Sequence, residues 1–398
     1  MQKLSLIDAV FIGLAAMLGA GVFVVFGPAA SYAGAALPLA ILIAALVAYL
    51  NAGSVAQLAK AVTRSGGGYS YARVYISKNF SFLAGSAFLV GKIGSSAAIA
   101  LTVATYLTPD HVVLTAIGAV VVMTAINLAG INRTALGSKV LATITIAFLL
   151  TLVIAGFALP AAAAQLETGS PIGILSAAAL FFFTFAGYAR VATLGGEVQN
   201  SDRNVARAIW ISFAIVLAIY LTLSLILTEK LGSNLAFTVT PLADLAAKTF
   251  LGGEFVWIFA ALAGLGSLLA LLAGMSRTAA EMALDLELPK PFAKRLSNNA
   301  PVVAELTIAG LVIVLVSTGG ILLSLGISSF AVLLYYAITN FAAFRQPSAD
   351  TTRPKALNLL GLALCLLLAL SVPIEGLVAG AGLLTGAMLL RWGLRALR

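Results

Sequence analysis

Long apolar runs, separated by short polar segments, recur along the whole 398-residue chain. A helix that crosses a bilayer needs about 20 mostly apolar residues. The runs are too long, and too rarely alternating, for the strands of an outer-membrane barrel, which need about 10 residues each. The pattern therefore predicts an all-α polytopic membrane protein with twelve transmembrane helices. Their expected positions are residues 6–32, 37–59, 80–107, 111–130, 137–159, 171–195, 206–228, 251–276, 301–319, 321–343, 356–373 and 374–393.

The basic residues fall in alternate segments between the predicted spans. With the N-terminus placed in the cytoplasm, 20 of the 23 lysines and arginines lie in cytoplasmic segments, as the positive-inside rule requires. Lys230 and Lys248 lie on the opposite side, and Lys92 lies within a span. The pattern predicts a multi-pass protein of the cytoplasmic membrane with both termini in the cytoplasm.

The composition agrees with a membrane protein and argues against other classes. Hydrophobic residues make up 61% of the chain and charged residues 9%, whereas soluble domains carry about 25% charged residues. The formal net charge of +9 does not indicate a nucleic-acid partner, because the basic residues are distributed according to the spans. The lipid bilayer is the expected partner, and the sequence carries no signal for an oligomeric state.

The chain offers no recognisable catalytic or metal-binding set. Its single cysteine, Cys365, lies in an apolar run, and its single histidine, His111, lies in a short loop beside Asp110. No Cys/His metal site follows from these positions. The spans also lack the side chains that acid–base or nucleophilic catalysis needs. We therefore expect no enzyme, no metal and no cofactor.

The first predicted span contains a glycine-rich segment, Leu-Gly-Ala-Gly-Val-Phe at residues 18–23. Glycine reaches backbone angles that other residues avoid, so an unwound turn costs little here. Inside a membrane, irregular backbone is tolerated only where it lines a cavity or is buried in protein. Close helix packing is the alternative interpretation, because small residues also let helices approach. For this segment alone the two interpretations carry equal weight.

The sixth predicted span contains a second such segment, Phe-Phe-Phe-Thr-Phe-Ala-Gly-Tyr-Ala-Arg at residues 181–190. This span opens a second block of five, at 171–343, similar in length to the first block at 6–159, and with five spans each the blocks run in opposite directions. Glycine-interrupted helices at corresponding positions of inverted repeats indicate the binding site of a secondary transporter. The predicted divisions of the chain are a first repeat at 1–160, a second at 161–345 and two peripheral helices at 346–398.

Lys92 is the one charged residue near the middle of a span. It lies about 12 residues into the third span, or about 18 Å at 1.5 Å per residue, and hence near the midplane. An ionisable residue at that depth is by default a functional candidate. The alternatives are snorkelling of the side chain or an amine held by helix-end carbonyl groups without a role in transport.

Another polar stretch follows the eighth span, from Ser276 to Asp285, and is ended by Pro289 and Pro291. We interpret it as an amphipathic extension of the helix whose charges form a solvated face. Arg277 and Glu281 are four residues apart and are expected to pair on that face, contributing a few tenths of a kcal/mol.

Four segments together resemble the amino acid–polyamine–organocation (APC) superfamily of transporters. The segment at 18–23 is similar to its glycine-rich first break, and 65–71, Ser-Gly-Gly-Gly-Tyr-Ser-Tyr, to its loop after the second helix. Residues 182–200 resemble its sixth-helix signature, and 276–289 its Ser-Arg…Asp…Leu-Pro segment. The four occur in the expected order, and the resemblance covers essentially the whole chain.

The resemblance implies a five-plus-five inverted repeat whose helices 1 and 6 are unwound at the substrate site. Backbone N–H groups of the first break would hold a substrate carboxylate, and carbonyl groups of the second would take its ammonium group. This agrees with the field of half-helices, whose N-terminal ends attract anions and C-terminal ends cations. The implied substrate-binding residues are Leu18, Gly19, Ala20, Gly21 and Val22 at the first break, and Phe183, Thr184, Phe185, Ala186, Gly187 and Tyr188 at the second, with Phe185 and Tyr188 shaping the pocket.

The chain departs from the superfamily pattern in ways that bear on the substrate. Ala189 stands where many relatives have an acidic or larger residue, Gly196 replaces the first glutamate of a pair, and Ser201 replaces a proline. No aspartate or glutamate lies in the middle of any span. A polyamine or cationic amino acid would favour a buried carboxylate, because an uncompensated charge in the membrane is costly. The sequence therefore favours neutral amino acids.

The coupling ion is the remaining question. Some relatives carry a fifth-helix lysine linked to proton coupling, but the matching region here has none, and Lys139 is interpreted as an interfacial charge. Lys92 is the candidate for proton coupling. Sodium is the alternative, with the Ser267 hydroxyl and a Gly19 carbonyl as ligands, although a serine in an apolar helix usually bonds its own backbone. Proton coupling or exchange is favoured over sodium.

The sequence thus predicts a secondary active transporter of small neutral amino acids that works by alternating access. A polyamine or cationic amino acid exchanger is the first alternative. A membrane receptor that binds an amino acid without transporting it is the second. Arg190 is expected to anchor the lower half of the sixth helix, with gating of the inner mouth as the other possibility.

Overall fold

A computed structural model describes residues 3–62, 66–130, 135–188, 191 and 198–396 of the chain. These residues form α-helices joined by turns and short 3-10 helices, and this described part contains no β-strand. The α-helices, numbered in chain order, are α1 Leu6–Met17, α2 Gly21–Val24, α3 Phe26–Ala33, α4 Leu37–Ala61, α5 Gly68–Tyr75, α6 Lys78–Leu107, α7 Val112–Leu128, α8 Ala135–Phe157, α9 Pro171–Phe185, α10 Ser201–Leu231, α11 Pro241–Ala247, α12 Val256–Leu284, α13 Val302–Thr318, α14 Ile321–Arg345, α15 Lys355–Leu370 and α16 Ile374–Ala396.

The helices have the length and polarity of a polytopic membrane protein. Within the described ranges, nine helical stretches are long and apolar enough to cross a membrane. Three shorter apolar helices, α9, α13 and α15, occupy further predicted spans. The helical membrane character agrees with the sequence analysis, whereas the count of twelve spans and the inverted repeat stay predictions.

The first predicted span is divided into α1, α2 and α3. Gly19 and Gly21 lie at the first interruption, where α1 ends at Met17 and α2 begins four residues later. The second interruption follows from Pro28, which has no N–H group to donate to the carbonyl of Val24 four residues earlier. Local sequence chemistry therefore accounts for both interruptions.

The sixth predicted span also ends early as a helix. Helix α9 stops at Phe185, and Ala186 and Gly187 form a turn. Residues 189, 190 and 192–197 lie outside the described part of the chain. The predictions about Ala189, Arg190 and Gly196 therefore concern positions that the structure does not describe.

The chain forms two compact units that interleave along the sequence. The first unit comprises Met1–Ala48, Ile99–Ala116 and Arg133–Ser267, and the second comprises Tyr49–Ala98, Ile117–Asn132 and Leu268–Arg398. The predicted boundaries near residues 160 and 345 describe sequence repeats rather than compact units, and they stay predictions.

In the second unit, Asp285 does not lie on a solvated face, which corrects the sequence-based interpretation. Its side chain is 13% exposed and lies 3.4 Å from the Arg73 guanidinium. The Tyr69 hydroxyl donates a hydrogen bond of 2.7 Å to the same carboxylate. Burial and the Asp285 carboxylate raise the pKa of the Tyr69 phenol well above its usual value, so the phenol stays protonated. Side chains of the distant helix α5 cover this segment, and local periodicity does not reveal such contacts.

Helix α16, predicted to be peripheral, is anchored in the second unit by Arg391. The guanidinium donates to both carboxylate oxygens of Glu287, at 2.7 and 3.1 Å, and to the Asn79 side chain at 2.9 Å. The Phe82 ring lies 4.5 Å from the guanidinium carbon. The Arg391 and Glu287 side chains are only 5% and 2% exposed. A paired, bidentate geometry is the arrangement in which two buried charges are best compensated.

Arg391→Lys is expected to lower the stability of the protein by about 1–2 kcal/mol, because lysine keeps the charge but loses the bidentate contact. The measurement is the midpoint of thermal unfolding in detergent. Arg295→Lys is the matched control, because Arg295 pairs with Glu281 at 3.4 Å with both side chains partly exposed. An exposed pair contributes about 0–1 kcal/mol, so equal shifts of the two variants contradict the prediction.

Candidate functional site

The first break presents backbone N–H groups without protein acceptors. Four consecutive residues, Gly19 to Val22, carry N–H groups from which no described residue accepts a hydrogen bond. The hydrogen bonding resumes with the N–H of Phe23, which donates to the Ala20 carbonyl at 3.0 Å. Hydrophobic neighbours bury the segment, with Leu18, Ala20 and Val22 each at most 1% exposed. N–H groups that stay without an acceptor in such apolar surroundings are energetically costly. An anion can accept hydrogen bonds from them.

The second break presents carbonyl groups at the end of α9. The last four carbonyls of a helix lack intrahelical partners. Among the described residues, the Phe183 carbonyl accepts only one long contact, of 3.4 Å, from the Ala186 N–H. The Thr184 hydroxyl donates to the Phe181 carbonyl at 2.7 Å, so the side chain is turned back along its own helix. The end of α9 therefore carries partial negative charge where the first break carries partial positive charge.

The two breaks lie against each other within the first unit. A Cβ atom added at Gly187 would overlap the Ala16 carbonyl oxygen and lie 2.7 Å from the Met17 nitrogen. A Cβ atom added at Gly21 would lie 2.8 Å from Thr184 Cγ2. Gly187 and Gly21 therefore allow the backbone of each break to approach the other. Both breaks were predicted to belong to one substrate site; the fold brings their backbones into contact, and substrate binding there stays a prediction.

Helix α12 borders the first break with small residues. A Cβ atom at Gly264 would lie 3.4 Å from Ala20 Cβ, and one at Gly19 would overlap the Ser267 hydroxyl oxygen. The two residues named as sodium ligands, Gly19 and Ser267, are thus neighbours. The Ser267 hydroxyl donates to the Ala263 carbonyl at 2.9 Å, the backbone bond expected of a serine in an apolar helix.

A small cavity lies beside the break, between α1, α8 and α12. Its volume is about 10 Å³, and its lining includes Leu18, Ala142, Thr145 and Ala263. A cavity of this size holds about one water molecule. The space next to the break is therefore sufficient for a water molecule.

The aromatic residues of the second break belong to a buried cluster. The Phe185 ring lies 5.3 Å from the Tyr220 ring and 5.4 Å from the Phe213 ring, centre to centre. Phe185 and Tyr188 are both 0% exposed. Phe185 thus packs on α10, and the role of Phe185 and Tyr188 in shaping a pocket stays a prediction.

Two tyrosines contact the first break and were missed by the sequence analysis. The Tyr220 hydroxyl donates to the Met17 carbonyl at 2.6 Å, and the Tyr106 hydroxyl donates to the Phe23 carbonyl at 2.7 Å. Each is a single tyrosine in an apolar span, with no local pattern that separates it from a packing residue. Only the three-dimensional contact identifies them.

In the second unit, Lys92 lies on a packed face of α6. Gly91 and Ser95 of this helix face α14, where the Ser95 and Ser328 hydroxyls are 2.7 Å apart. Lys92 shares a face with Gly85, two turns earlier, and a Cβ atom at Gly85 would lie 2.7 Å from the Met282 sulfur in α12. No hydrogen bond or ion pair joins Lys92 to another described residue. The hydroxyl of Ser96, one turn later, is likewise buried without a partner in the described ranges.

Lys139 lies near an acidic side chain and is partly exposed, and its place at the membrane interface stays a prediction. Its amine lies 3.9 Å from the Asp8 carboxylate at the start of α1, and the Lys139 side chain is 41% exposed. It also lies 5.6 Å from the centre of the Phe11 ring. These contacts are those of a partly solvated charge at a helix end.

Comparison with known proteins identifies the family. The family described as amino acid permease matches residues 4–389. The chain is 41% identical to an uncharacterized transporter of Mycobacterium bovis over 99% of this chain and 91% of the relative. It is 25% identical to cationic amino acid transporter 7, chloroplastic, of Arabidopsis thaliana, over 85% of this chain and 64% of the relative. It is 26% identical to the methylthioribose transporter of Bacillus subtilis, over 57% of this chain and 55% of the relative. The match over nearly the whole length confirms the resemblance drawn from the sequence motifs, and the chain belongs to the amino acid permease family of the APC superfamily.

Proposed function

We propose that the protein carries small neutral amino acids across the cytoplasmic membrane by alternating access, as a secondary active transporter. The observation that carries the proposal is the meeting of two broken helices at Gly21, Thr184 and Gly187. One break offers N–H donors and the other offers carbonyl acceptors. A zwitterion has a complementary charge at each end.

In this mechanism the backbone binds both charged groups of the substrate. The N–H groups of Gly19 to Val22 hold the carboxylate, and the carbonyls of Phe183, Thr184 and Phe185 hold the ammonium. Half-helix ends supply these partial charges without a charged side chain. These hydrogen bonds come from backbone groups, which do not titrate. The substrate can therefore bind and leave without a change in protonation of the residues that hold it.

Neutral substrates are favoured because no carboxylate of a described residue contacts Gly19 to Val22 or the end of α9. The contacts found there come from alanine, glycine, serine and threonine and from aromatic rings. A second positive charge on a polyamine or a cationic amino acid would therefore stay uncompensated, which is costly inside a membrane.

A cationic amino acid is the second candidate substrate, because some relatives are named for it. Several relatives are named cationic amino acid transporters, at 25–26% identity. The methylthioribose transporter, also at 26% identity, is named for a substrate of another kind. Relatives this distant do not fix a substrate, and the proposal of neutral amino acids rests on the contacts around the breaks.

Coupling to protons or exchange is favoured over sodium. Lys92 is a partly buried amine without a partner among the described residues, one turn before Ser96 on α6, and an amine can bind and release a proton. Sodium would use the Ser267 hydroxyl and a Gly19 carbonyl. That hydroxyl already donates to the Ala263 carbonyl.

Purified protein in proteoliposomes is expected to accumulate L-alanine when the outside is made acidic, and to do so without sodium. The panel is L-alanine, glycine, L-leucine, L-arginine and putrescine, under an imposed proton gradient, an imposed sodium gradient, or preloaded amino acid. Empty liposomes are the control. Uptake of L-arginine or putrescine alone contradicts the neutral assignment, and dependence on sodium contradicts proton coupling. Saturable binding without flux favours a receptor.

A further inference from the structure

A broken membrane helix has to satisfy orphan carbonyl groups as well as offer N–H groups. In a continuous helix the Met17 carbonyl would accept from the N–H of Gly21, and the Phe23 carbonyl from that of Gly27. Neither bond is formed among the described residues. An unpaired carbonyl in an apolar environment is costly, so a broken helix tends to close again unless other donors occupy its carbonyls.

The two tyrosine hydroxyls occupy one such carbonyl on each side of the first break, and the bond of Tyr220 directly opposes its closure. Tyr220 of α10 donates to the Met17 carbonyl, the last residue before the break, at 2.6 Å. Tyr106 of α6 donates to the Phe23 carbonyl, just after the break, at 2.7 Å. The four unpaired N–H groups, from Gly19 to Val22, lie between these two carbonyls. A hydroxyl from a different helix therefore occupies one carbonyl on each side of the break.

Both tyrosines are held by ring contacts, so their hydroxyls have little freedom. The Tyr220 ring is 0% exposed and packs at 5.5 Å from Phe181 and at 6.2 Å from Phe26. The Tyr106 ring lies edge-on to Phe23 at 5.9 Å, and Phe23 is stacked on Phe148 at 6.2 Å. Ring packing thus fixes the positions of the donors.

We propose that Tyr220 and Tyr106 are positioning residues for the first break. The Tyr220 hydroxyl occupies the Met17 carbonyl, so that the Gly21 N–H does not return to it, and the Tyr106 hydroxyl anchors α2 on the far side of the break through the Phe23 carbonyl. The N–H groups of Gly19 to Val22 thereby remain available to the substrate carboxylate. The inference rests on the proposed amino acid site. It adds a cause for the availability of those N–H groups. Glycine permits the break, and the two hydroxyls maintain it.

Tyr220→Phe tests the inference, because it removes the hydroxyl and keeps the ring in its cluster. The KM for L-alanine in proteoliposomes is expected to rise about 10-fold, with the maximal rate changed less than twofold. A tenfold change corresponds to about 1.4 kcal/mol, which lies within the range for losing one buried hydrogen-bond partner. Tyr106→Phe is also expected to raise the KM for L-alanine. It serves as the second test variant if Tyr220→Phe is unstable.

Amide hydrogen exchange distinguishes this positioning role from a purely structural one, because the two predict opposite changes in exchange rate. In substrate-free Tyr220→Phe, the Met17 carbonyl becomes available to the Gly21 N–H, so peptides covering residues 18–25 are expected to exchange more slowly than in the unsubstituted protein. General loosening would make them exchange faster. Faster exchange, or an unchanged KM in both variants, overturns the inference.

Tyr335→Phe is the matched control. The Tyr335 hydroxyl is buried and accepts a hydrogen bond of 2.8 Å from the Gly68 N–H in the second unit. The substitution removes one buried hydrogen bond of the hydroxyl and leaves the contacts of the first break unchanged. The KM for L-alanine is therefore expected to stay within about twofold of that of the unsubstituted protein. A tenfold rise there too overturns the inference. If the unsubstituted protein neither binds nor transports any amino acid of the panel, the proposed function itself is wrong, and that failure is visible before any variant is made.

Discussion

Gly187→Ala is expected to reduce L-alanine uptake at least about 100-fold, to the level of empty liposomes. The added Cβ atom would overlap the Ala16 carbonyl oxygen and lie 2.7 Å from the Met17 nitrogen. Both are backbone atoms at the end of α1, so relief requires the two breaks to move apart. Overpacking of this kind costs about 1–3 kcal/mol, occasionally more, and each tenfold loss corresponds to about 1.4 kcal/mol. Uptake in proteoliposomes is the measurement.

Gly118→Ala is the matched control for this variant. Gly118 lies within α7, where an added Cβ atom meets nothing within 4 Å, and alanine is the better helix former by about 1 kcal/mol. This variant is expected to transport at the normal rate and to unfold at an equal or higher temperature. Gel filtration distinguishes loss of transport from loss of folding in Gly187→Ala. A well-folded Gly187→Ala protein with normal uptake contradicts a substrate site at the meeting of the breaks.

The parts of this site that the sequence could predict are those with a local cause. Gly19 and Gly21 favour an unwound turn wherever they occur in a helix, and the end of α9 before Gly187 has the same origin. The apolar runs predicted the helical membrane character because a bilayer imposes a minimum length on every span. Both predictions, the breaks and the apolar spans, depend only on residues that are neighbours in the sequence. The described helices agree with them.

The rest of the site depends on contacts between residues far apart in the chain. Tyr220 reaches Met17 across 203 positions, and no periodicity in α10 marks its hydroxyl as different from a packing group. Asp285 was expected in solvent because its own helix is amphipathic, yet Tyr69 and Arg73 cover it from another helix. Local pattern assigns a face to a helix, but it does not say which polar partner will cover that face.

The location of Lys92 bears on the source of energy for transport rather than on substrate binding. Lys92 lies two turns after Gly85 on α6, and a Cβ atom added at Gly85 would lie 2.7 Å from the Met282 sulfur of α12. Its partial burial and the buried hydroxyl of Ser96, one turn later, define a polar position within an apolar unit. A charged amine there is costly unless it is paired or neutral, and an ionisable residue at that depth is therefore a functional candidate.

Lys92→Met is expected to abolish accumulation of L-alanine driven by a proton gradient, with at least about a 10-fold fall, while expression and folding are kept. Methionine has a similar length and no charge, so the packing is retained and the cost of an uncompensated amine is removed. Uptake is measured at several external pH values, with and without an imposed gradient. Downhill exchange of preloaded L-alanine is measured in parallel, because an uncoupled protein keeps exchange and loses accumulation.

Lys139→Met is the matched control for Lys92, since the same substitution removes an amine that is 41% exposed and lies 3.9 Å from the Asp8 carboxylate. An exposed pair of this kind contributes about 0–1 kcal/mol, so we expect accumulation and its pH dependence to stay within about twofold of the unsubstituted protein. The comparison separates the loss of any lysine from the loss of the one within the membrane. Normal pH dependence and accumulation in Lys92→Met contradict the coupling role, and their loss in Lys139→Met instead assigns coupling to the fifth predicted span.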